Sequence, residues 1–578
     1  MFKQRILEYL KKIVKELGYE SSDIVCSIPK NSEFGDYTSN IPLQLAKQKG
    51  EDGKQNPLEI AKQILDKLKS LDSAQDNFYE IKIAGGGFLN FYIKPQKLME
   101  NLHQVCDYAC FVDPKPKVEN HEKKKILVEY ASFNALKPIH IGHLRNITLG
   151  ESITRLLEAN NHEVFRVTYT SDIGLPAAKV VWGILQNKDD FKEAKKKNLR
   201  EKAEFLGKIY VKANTEYENE PESKLEIDQI NTQIYQRDEK YVPVWQEAIQ
   251  WTLDYFEYIY QLLGTKFDKQ FLESEVEGPG KEIVEDNIGK VFREDGGAVI
   301  FPGSEFGLHN RVFITSAGNP TYEAKDMALA KVESSTYPAD LIIHVVANDQ
   351  DDYFKVIFKA LDLLDHDLAS RERHLSYGYV TLPSGKMSSR KGNVITLEQL
   401  YDLVKEKIED ITSKNKELSK EEKIDIVKMV SLGAIKFTLL KYASHTDVTF
   451  DLENSVSLQG DSGPYVQYTY ARAKSVLRNA QYSYQPAEIK GELDKEELIL
   501  LRQVEHFDSI VREAALNYAP HLIANFLVDF ARNFNLFYQK HPIIKHKKSE
   551  LRLALTCAVA VRIKQGLYLL GIESLDRM

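Results

Sequence analysis

The chain reads as an α/β protein: a central parallel-sheet domain carrying an insertion, a small α+β domain before it, and an all-α bundle after it. Three features of the 578 residues predict this. An apolar run, an amphipathic stretch and a β-branched run follow one another between Lys125 and Tyr169, which is the pattern of a βαβ unit. Residues 1 to about 112 mix helical periodicity with a β-rich segment. From about residue 400 onward the apolar spacing is helical almost throughout.

Taken in order, Phe2, Ile6, Leu10, Ile13 and Leu17 recur at helical spacing with lysines between them. That describes an amphipathic surface helix ending near Gly18, and no signal peptide. Gly35-Asp36-Tyr37 follows, then a helix near Pro57 to Leu71 with Ile60, Ile64, Leu65 and Leu68 on one side. Tyr79 to Ile93 is rich in β-formers and is broken by Gly85-Gly86-Gly87, a bend or close-approach site. The polar stretch from Asp113 to Lys125 holds two prolines and reads as a linker. Lys125–Tyr130 and Val164–Tyr169 are expected as buried strands, with a helix over Leu144–Asn160 between them. Strand, helix, strand at this spacing requires a right-handed crossover in a parallel sheet, hence a Rossmann-like domain over 118–400. Leu341–Val346 reads as a further strand of it. The stretch from about 180 to 300 is expected to interrupt this domain with long polar helices, and its lysine-rich patch, Lys192 to Lys202, reads as a solvated helix face. A helical connector at 401–455 leads to a bundle at 456–578, with strong periodicity over Leu498–Ala515, Ile523–Tyr538 and Leu551–Leu570.

Composition narrows the function classes. Hydrophobic residues are 43% and charged residues 28%, ordinary for a globular protein. The four cysteines form no Cys-x2-Cys pair, which argues against a zinc ribbon, and Cys106 and Cys110 read as buried small hydrophobes. No protein-held metal is expected, and a reducing cytoplasmic setting fits. No run approaches the roughly 18 apolar residues that a membrane span needs, so no membrane partner is expected. Net charge is −8, yet residues 460–578 carry 16 Lys/Arg against 13 Asp/Glu. A local basic track can bind RNA whatever the total, so charge leaves nucleic acid open.

Two motifs carry chemistry. Pro138-Ile-His140-Ile-Gly142-His143 falls where a strand ends and a helix begins, and unpaired N–H groups at a helix N-terminus favour phosphate. Gly142 leaves room for a flat adenine, and imidazoles three residues apart can donate to phosphate oxygens. Lys386-Met387-Ser388-Ser389-Arg390 lies between Gly385 and Gly392, a cation-bearing loop whose lysine can reach a triphosphate as negative charge builds on it.

In this order on a parallel-sheet chain, the two motifs resemble the nucleotide-handling motifs of class I aminoacyl-tRNA synthetases. Longer stretches resemble the arginyl-tRNA synthetase family over nearly the whole chain. These are Gly35-Asp-Tyr-Thr-Ser-Asn40, Ala84-Gly-Gly-Gly-Phe-Leu-Asn-Phe91, Glu129-Tyr-Ala-Ser-Phe-Asn134, Tyr322-Glu-Ala-Lys-Asp326, Gly463-Pro-Tyr-Val-Gln-Tyr-Thr-Tyr-Ala-Arg472 and Leu570 to Met578. The resemblance implies an ATP-dependent ligase that forms arginyl adenylate and passes arginine to the terminal adenosine of tRNA. It further implies a domain at 1–112 meeting the outer corner of tRNA and an anticodon-binding domain at 456–578. A requirement for tRNA in the activation step is also implied.

By the same resemblance, Asp326 and Tyr322 serve the guanidinium, Glu129 and Asn134 the amino group and carboxylate of arginine, and Gln350 is a further contact. A planar, permanently charged guanidinium suits bidentate carboxylates. Pro138, His140, Gly142, His143, Lys386, Met387 and Ser388 are expected to hold ATP, with Mg2+ arriving on the nucleotide and no dedicated protein site. Tyr465, Tyr468, Arg472 and Met578 are expected on tRNA, with Tyr470 also available for base stacking. Two departures stand out. Ser389 replaces the second lysine of the lysine-methionine-serine-lysine loop, and Lys137, three residues before His140, is the expected substitute cation. Ser171-Asp-Ile-Gly174 keeps the acid and glycine of a family motif without its tryptophan. A monomer is expected.

Overall fold

The computed structural model describes residues 2–20, 23–47, 56–111, 115–118, 122–381, 395–414, 418–489 and 491–578. Helix α1 (Phe2–Glu16) buries Phe2, Ile6, Leu10 and Ile13, the stripe its spacing requires. Strands β1 (Cys26–Ser27), β2 (Tyr37–Ser39), β3 (Phe78–Ala84) and β4 (Phe88–Ile93) form an antiparallel sheet in the order β1-β2-β4-β3. The three glycines make the turn between β3 and β4, and α2 (Pro57–Lys69) and α3 (Pro95–Phe111) complete the domain.

The Gly35-Asp36-Tyr37 motif has a structural explanation. Gly35 sits at φ 95°, and a Cβ there would lie 2.7 Å from the Phe91 carbonyl oxygen. The chain can therefore pass close under β4 and bury Asp36, whose carboxylate accepts from the Ile93 N–H at 2.8 Å and pairs with Arg502 at 2.7 Å. Tyr37 donates to Glu505 at 2.8 Å. Both partners belong to the C-terminal bundle, so this motif clips the first domain to the last.

The central sheet holds β5 (Lys125–Glu129), β6 (Glu163–Thr170), β7 (Lys269–Leu272), β11 (Leu341–Ala347) and β12 (Glu372–Tyr377), all parallel, in the order β12-β11-β5-β6-β7. Between β7 and β11 the chain makes a small antiparallel sheet, β8 (Arg293–Asp295), β9 (Ala298–Phe301) and β10 (Arg311–Ile314). The central strand order runs one way from β5 through β6 to β7 and the other way from β11 to β12. A crevice opens at such a reversal, at the carboxyl ends of β5 and β11. Helix α4 (Ile141–Ala159) crosses from β5 to β6.

The expected helices fill 180–300 as far as Leu263 and return once, over Glu273–Glu285, between short strands. Helices α5 (Leu175–Gln186), α6 (Leu199–Asn219), α7 (Pro221–Tyr235) and α8 (Val242–Leu263) share an apolar core that includes Tyr210, Trp245 and Ile249. Then β7 returns to the sheet as its edge strand, followed by α9 (Glu273–Glu285). Lys269-Gln-Phe-Leu272 is too short and too polar to announce a strand; pairing with β6 makes it one. The lysine patch is not one helix face either. Lys192 lies in the last turn of a short helix (Lys188–Ala194), Lys195 to Lys197 form a turn, and Asn198 caps α6 by accepting from the Glu201 N–H at 3.0 Å.

Helices α10 (Tyr322–Thr336) and α11 (Asp351–Leu364) flank the sheet. Then come α12 (Leu397–Ser413), α13 (Lys420–Leu440), α14 (Gly463–Asn479), α15 (Lys495–Leu516), α16 (Pro520–Lys540) and α17 (Ser549–Leu569). Among the described residues the regular structure here is helical apart from β14 (Val448–Thr449), which pairs in parallel with β13 (Val380–Thr381). The bundle rests on α4: Ser152 donates to the Leu569 carbonyl at 2.8 Å and Arg155 to that of Tyr568 at 2.9 Å. One apolar core runs from α1 through α4 into the bundle. Among the described residues no helix is long and apolar enough to cross a membrane.

Candidate active site

The His140-Ile-Gly-His143 turn builds itself. His140 is the N-cap of α4, and its Nδ1 accepts from the Gly142 N–H at 3.1 Å. The His140 N–H in turn donates to Nδ1 of His143 at 3.2 Å, and the two rings stack at 3.8 Å. A Cβ on Gly142 would lie 3.0 Å from the His140 ring, so the motif's glycine makes room for the cap. Since both Nδ1 atoms accept, each neutral ring carries its proton on Nε2. Burial pushes the His140 imidazolium down to about 4; burial, His140 and Lys137 push that of His143 further below its ordinary value. Two neutral N–H donors therefore stand at a helix N-terminus, where the sequence left their charge open.

Lys137 lies 5.7 Å above the Tyr210 ring, on the wall of a 690 Å³ cleft between the 136–139 segment, α6, α8 and the start of α12. Pro138 lines the same cleft with Arg200, Lys208 and Lys212. Lys386, Met387 and Ser388 lie outside the described residues. The chain on either side of them is tied to this turn. Leu397 N–H donates to the Ile139 carbonyl at 3.2 Å, and His140 bridges to Thr396. Arg145, buried one turn into α4, donates to the carbonyls of Gly378, Tyr379, Ser444 and Thr446 at 2.8–3.1 Å. Nothing in the sequence marked Arg145, because its partners are backbone atoms about 230 and 300 residues away.

The carboxyl ends of β5 and β11 form a buried acidic pocket. Glu129 closes β5 and accepts from Ser132 and His344. Asp326, on the pocket face of α10, accepts from Tyr353 at 2.6 Å. Burial pushes its carboxyl up to about 8, with help from Glu129. Beside it, Lys325 pairs with buried Glu273 at 2.8 Å. Tyr322, one turn before Asp326, is 45% exposed at the rim. Gln350 sits in the turn after β11 and donates to Asp349 at 3.3 Å. Asn134 bridges to Ser171 at the end of β6. Among the described residues, Asn134 Oδ1, Tyr169 Oη and Asn348 Oδ1 are buried without a hydrogen-bond partner. Orphaned polar atoms together at a crevice are what a site for a polar ligand presents.

Of the pocket, Glu129, Asp326 and Asn134 were legible, whereas Glu273, His344 and Tyr353 were not. His344 had a signal, a polar residue inside the apolar run Leu341–Val346. Asp172 accepts from the N–H and hydroxyl of Ser274 at 2.9 and 2.6 Å and so fastens β6 to α9.

In the bundle, Tyr465 and Tyr468 lie half-buried along α14, and Arg472 stacks 4.8 Å over Tyr468. Tyr470 is 3% exposed and donates to Asp576 at 2.9 Å, so it is core and unavailable for stacking. Met578 packs against the apolar core.

A parallel sheet with this order reversal, a His-x-Gly-His helix start and a helical C-terminal bundle define the class I aminoacyl-tRNA synthetase architecture. Residues 109–452 match the family described as tRNA synthetases class I (R), catalytic domain. Residues 466–578 match the DALR anticodon binding domain, and residues 1–93 the arginyl tRNA synthetase N terminal domain. Arginine–tRNA ligases of Porphyromonas gingivalis (31% identical, 91% of each chain covered) and Clostridium perfringens (30%, all of each chain) are similar over nearly the full length. The solved arginyl-tRNA synthetase of Thermus thermophilus superposes over all of both chains with TM-score 0.82 at 25% identity. That of Plasmodium falciparum shares the fold, with TM-score 0.82 at 21% identity. The chain belongs to the arginine–tRNA ligase family, whose reaction is the ATP-dependent attachment of arginine to tRNA.

Proposed function

We propose that the acidic pocket binds arginine with its guanidinium toward Asp326 and Tyr322 and its amino group toward Glu129 and Asn134, with Gln350 at the rim. The observation that carries this reading is the juxtaposition of two buried carboxyl groups, Glu129 at the end of β5, which leads into the His140–His143 turn, and Asp326 on α10. A guanidinium and an ammonium on one ligand are the natural partners of two such acids.

ATP lies along the start of α4, against Pro138 and Gly142, with its phosphates at Nε2–H of His140 and His143. The ionised carboxylate of arginine needs no general base. It attacks the α-phosphorus in line, a phosphorus–oxygen bond forms, and pyrophosphate departs. Alignment and charge stabilisation carry the step. Lys386, with Met387 and Ser388 on its loop, supplies mobile positive charge, and Lys137 stands in for the lysine replaced by Ser389. Mg2+ enters with the nucleotide. The tRNA 2′-hydroxyl then attacks the arginyl carbonyl of the adenylate, an ester bond forms as the bond to phosphate breaks, and AMP departs. Tyr465, Tyr468, Arg472 and Met578 face the anticodon, and domain 1–112 meets the outer corner of tRNA. The catalytic domain spans 118–400 with its insertion at about 180–300, 401–455 connects it to the bundle, and 456–578 is the anticodon domain. The enzyme works as a cytoplasmic monomer.

Isotope exchange from pyrophosphate into ATP tests the reading. Exchange is expected to need arginine and tRNA together; exchange with lysine in place of arginine would refute the pocket assignment.

A further inference from the structure

His344 stands at the centre of the pocket without a place in the reaction described so far. It lies within β11, directly across from Glu129. One ring nitrogen, Nδ1, is hydrogen-bonded to Glu129, and the other, Nε2, to Glu372 at 2.6 Å. Glu129 takes a second hydrogen bond from Ser132. The ring packs against Phe354 and Phe358 and is 6% exposed. We propose that His344 is a positioning residue for arginine: an imidazolium gripped by Glu129 and Glu372 that holds the Glu129 carboxylate in place for the substrate's amino group. This rests on the reading that Glu129 meets that amino group.

The protonation state follows from the partners. Carboxylates are acceptors, so a ring that bonds one through each nitrogen carries a proton on both. Burial opposes that charge, but Glu129 and Glu372 outweigh it and hold the imidazolium well above its ordinary range. The groups facing the ring are Glu129 on β5, Glu372 and His374 on β12, and Asp326 and Glu333 on α10. Glu333 is fully buried, neither of its oxygens has a hydrogen-bond partner, and burial, then Glu129, push its carboxyl well above the ordinary range. Without a cation among them, Glu129 would share a dry pocket with three other carboxyl groups. It would then take up a proton and lose its hold on an ammonium group.

A metal ion is the competing explanation, since Glu129, Glu333 and His344 each offer a donor within 4.8 Å of the others. The hydrogen bonds argue against it. Both nitrogens of His344 already bond a carboxyl group, and a cation on Nδ1 would have to displace the proton that joins it to Glu129.

The test uses full-length His344→Gln, Glu372→Gln and Glu129→Gln. Arginine affinity is measured by calorimetry, and KM for arginine and ATP by aminoacylation. His344→Gln keeps an N–H near Glu129 but cannot carry charge. It is expected to weaken arginine binding roughly 10- to 150-fold, the equivalent of one charge-assisted hydrogen bond, with the ATP KM within about twofold. Glu372→Gln is expected to give a smaller loss of the same kind. The ratio of native to His344→Gln affinity should shrink as pH rises and the unguarded Glu129 ionises, which loss of packing alone would not produce. In native protein with 15N-labelled histidine, one imidazole should keep both ring N–H groups at pH 8, and this signal should be missing from the His344→Gln spectrum. Unchanged arginine affinity, equal loss of arginine and ATP, absence of that doubly protonated ring, or one equivalent of bound metal in the purified protein would each overturn the proposal. If Glu129→Gln leaves arginine affinity intact, the underlying pocket reading fails instead.

Discussion

Arginine binding should release a proton, and Asp326 is its source. Burial holds the Asp326 carboxyl at about 8, so in the empty pocket near pH 7 it is mostly protonated. A guanidinium needs the carboxylate. Apparent affinity then equals the intrinsic affinity multiplied by the ionised fraction, roughly one-tenth at pH 7 and one-hundredth at pH 6. Arginine affinity should therefore rise about tenfold from pH 6 to 7, about fivefold from pH 7 to 8, and level off above that. Calorimetry in buffers of different ionisation enthalpy should register close to one proton released per arginine at pH 7. Asp326→Asn should abolish the release and flatten the profile while weakening binding. The same shift sets a sign for stability. A carboxyl raised on folding contributes stability below the ordinary carboxylate range, and that contribution is lost as pH climbs through about 8. Saturating arginine should offset the loss. An arginine affinity independent of pH between 6 and 8, or binding without proton release, would refute the reasoning.

Other outcomes follow from the same geometry. Arg145→Met should cost roughly 1–3 kcal/mol in denaturant unfolding, since it buries no replacement donor for the Gly378 carbonyl and removes three part-buried hydrogen bonds, and should depress kcat; unchanged stability would show those bonds to be dispensable. Arg502→Met leaves Asp36 buried and unpaired and should destabilise by about 3–5 kcal/mol; adding Asp36→Asn should recover part of it, and additive losses would contradict the pairing. Lys386→Ala should lower kcat roughly 100-fold while arginine affinity stays within about twofold, as suits a cation that acts on the transition state; equal losses in both would sink that role.

Much of the fold was legible because its signals are local. The spacing of Phe2 to Ile13, the apolar runs at Lys125 and Leu341, and the bundle's periodicity each state which face is buried. The short strands β7 and β14 were silent, because two to four residues carry no period and their pairing partners are distant in sequence. Tyr470 shows the converse. It shares its segment with Tyr465 and Tyr468, and only the packing of α14 turns it inward.

By itself the sequence determined the reaction class and the order of the parts. A helix start written His-x-Gly-His after a buried strand caps its own N–H groups with its two imidazoles and turns their Nε2–H outward, and that geometry is local. The tertiary structure decided charge. Which histidines are neutral donors, which one is a cation, and how far the Asp326 carboxyl rises depend on burial and on acids brought together from β5, β12 and α10. Electrostatic interaction in a dry pocket depends on distance in space, and distance in sequence carries no trace of it.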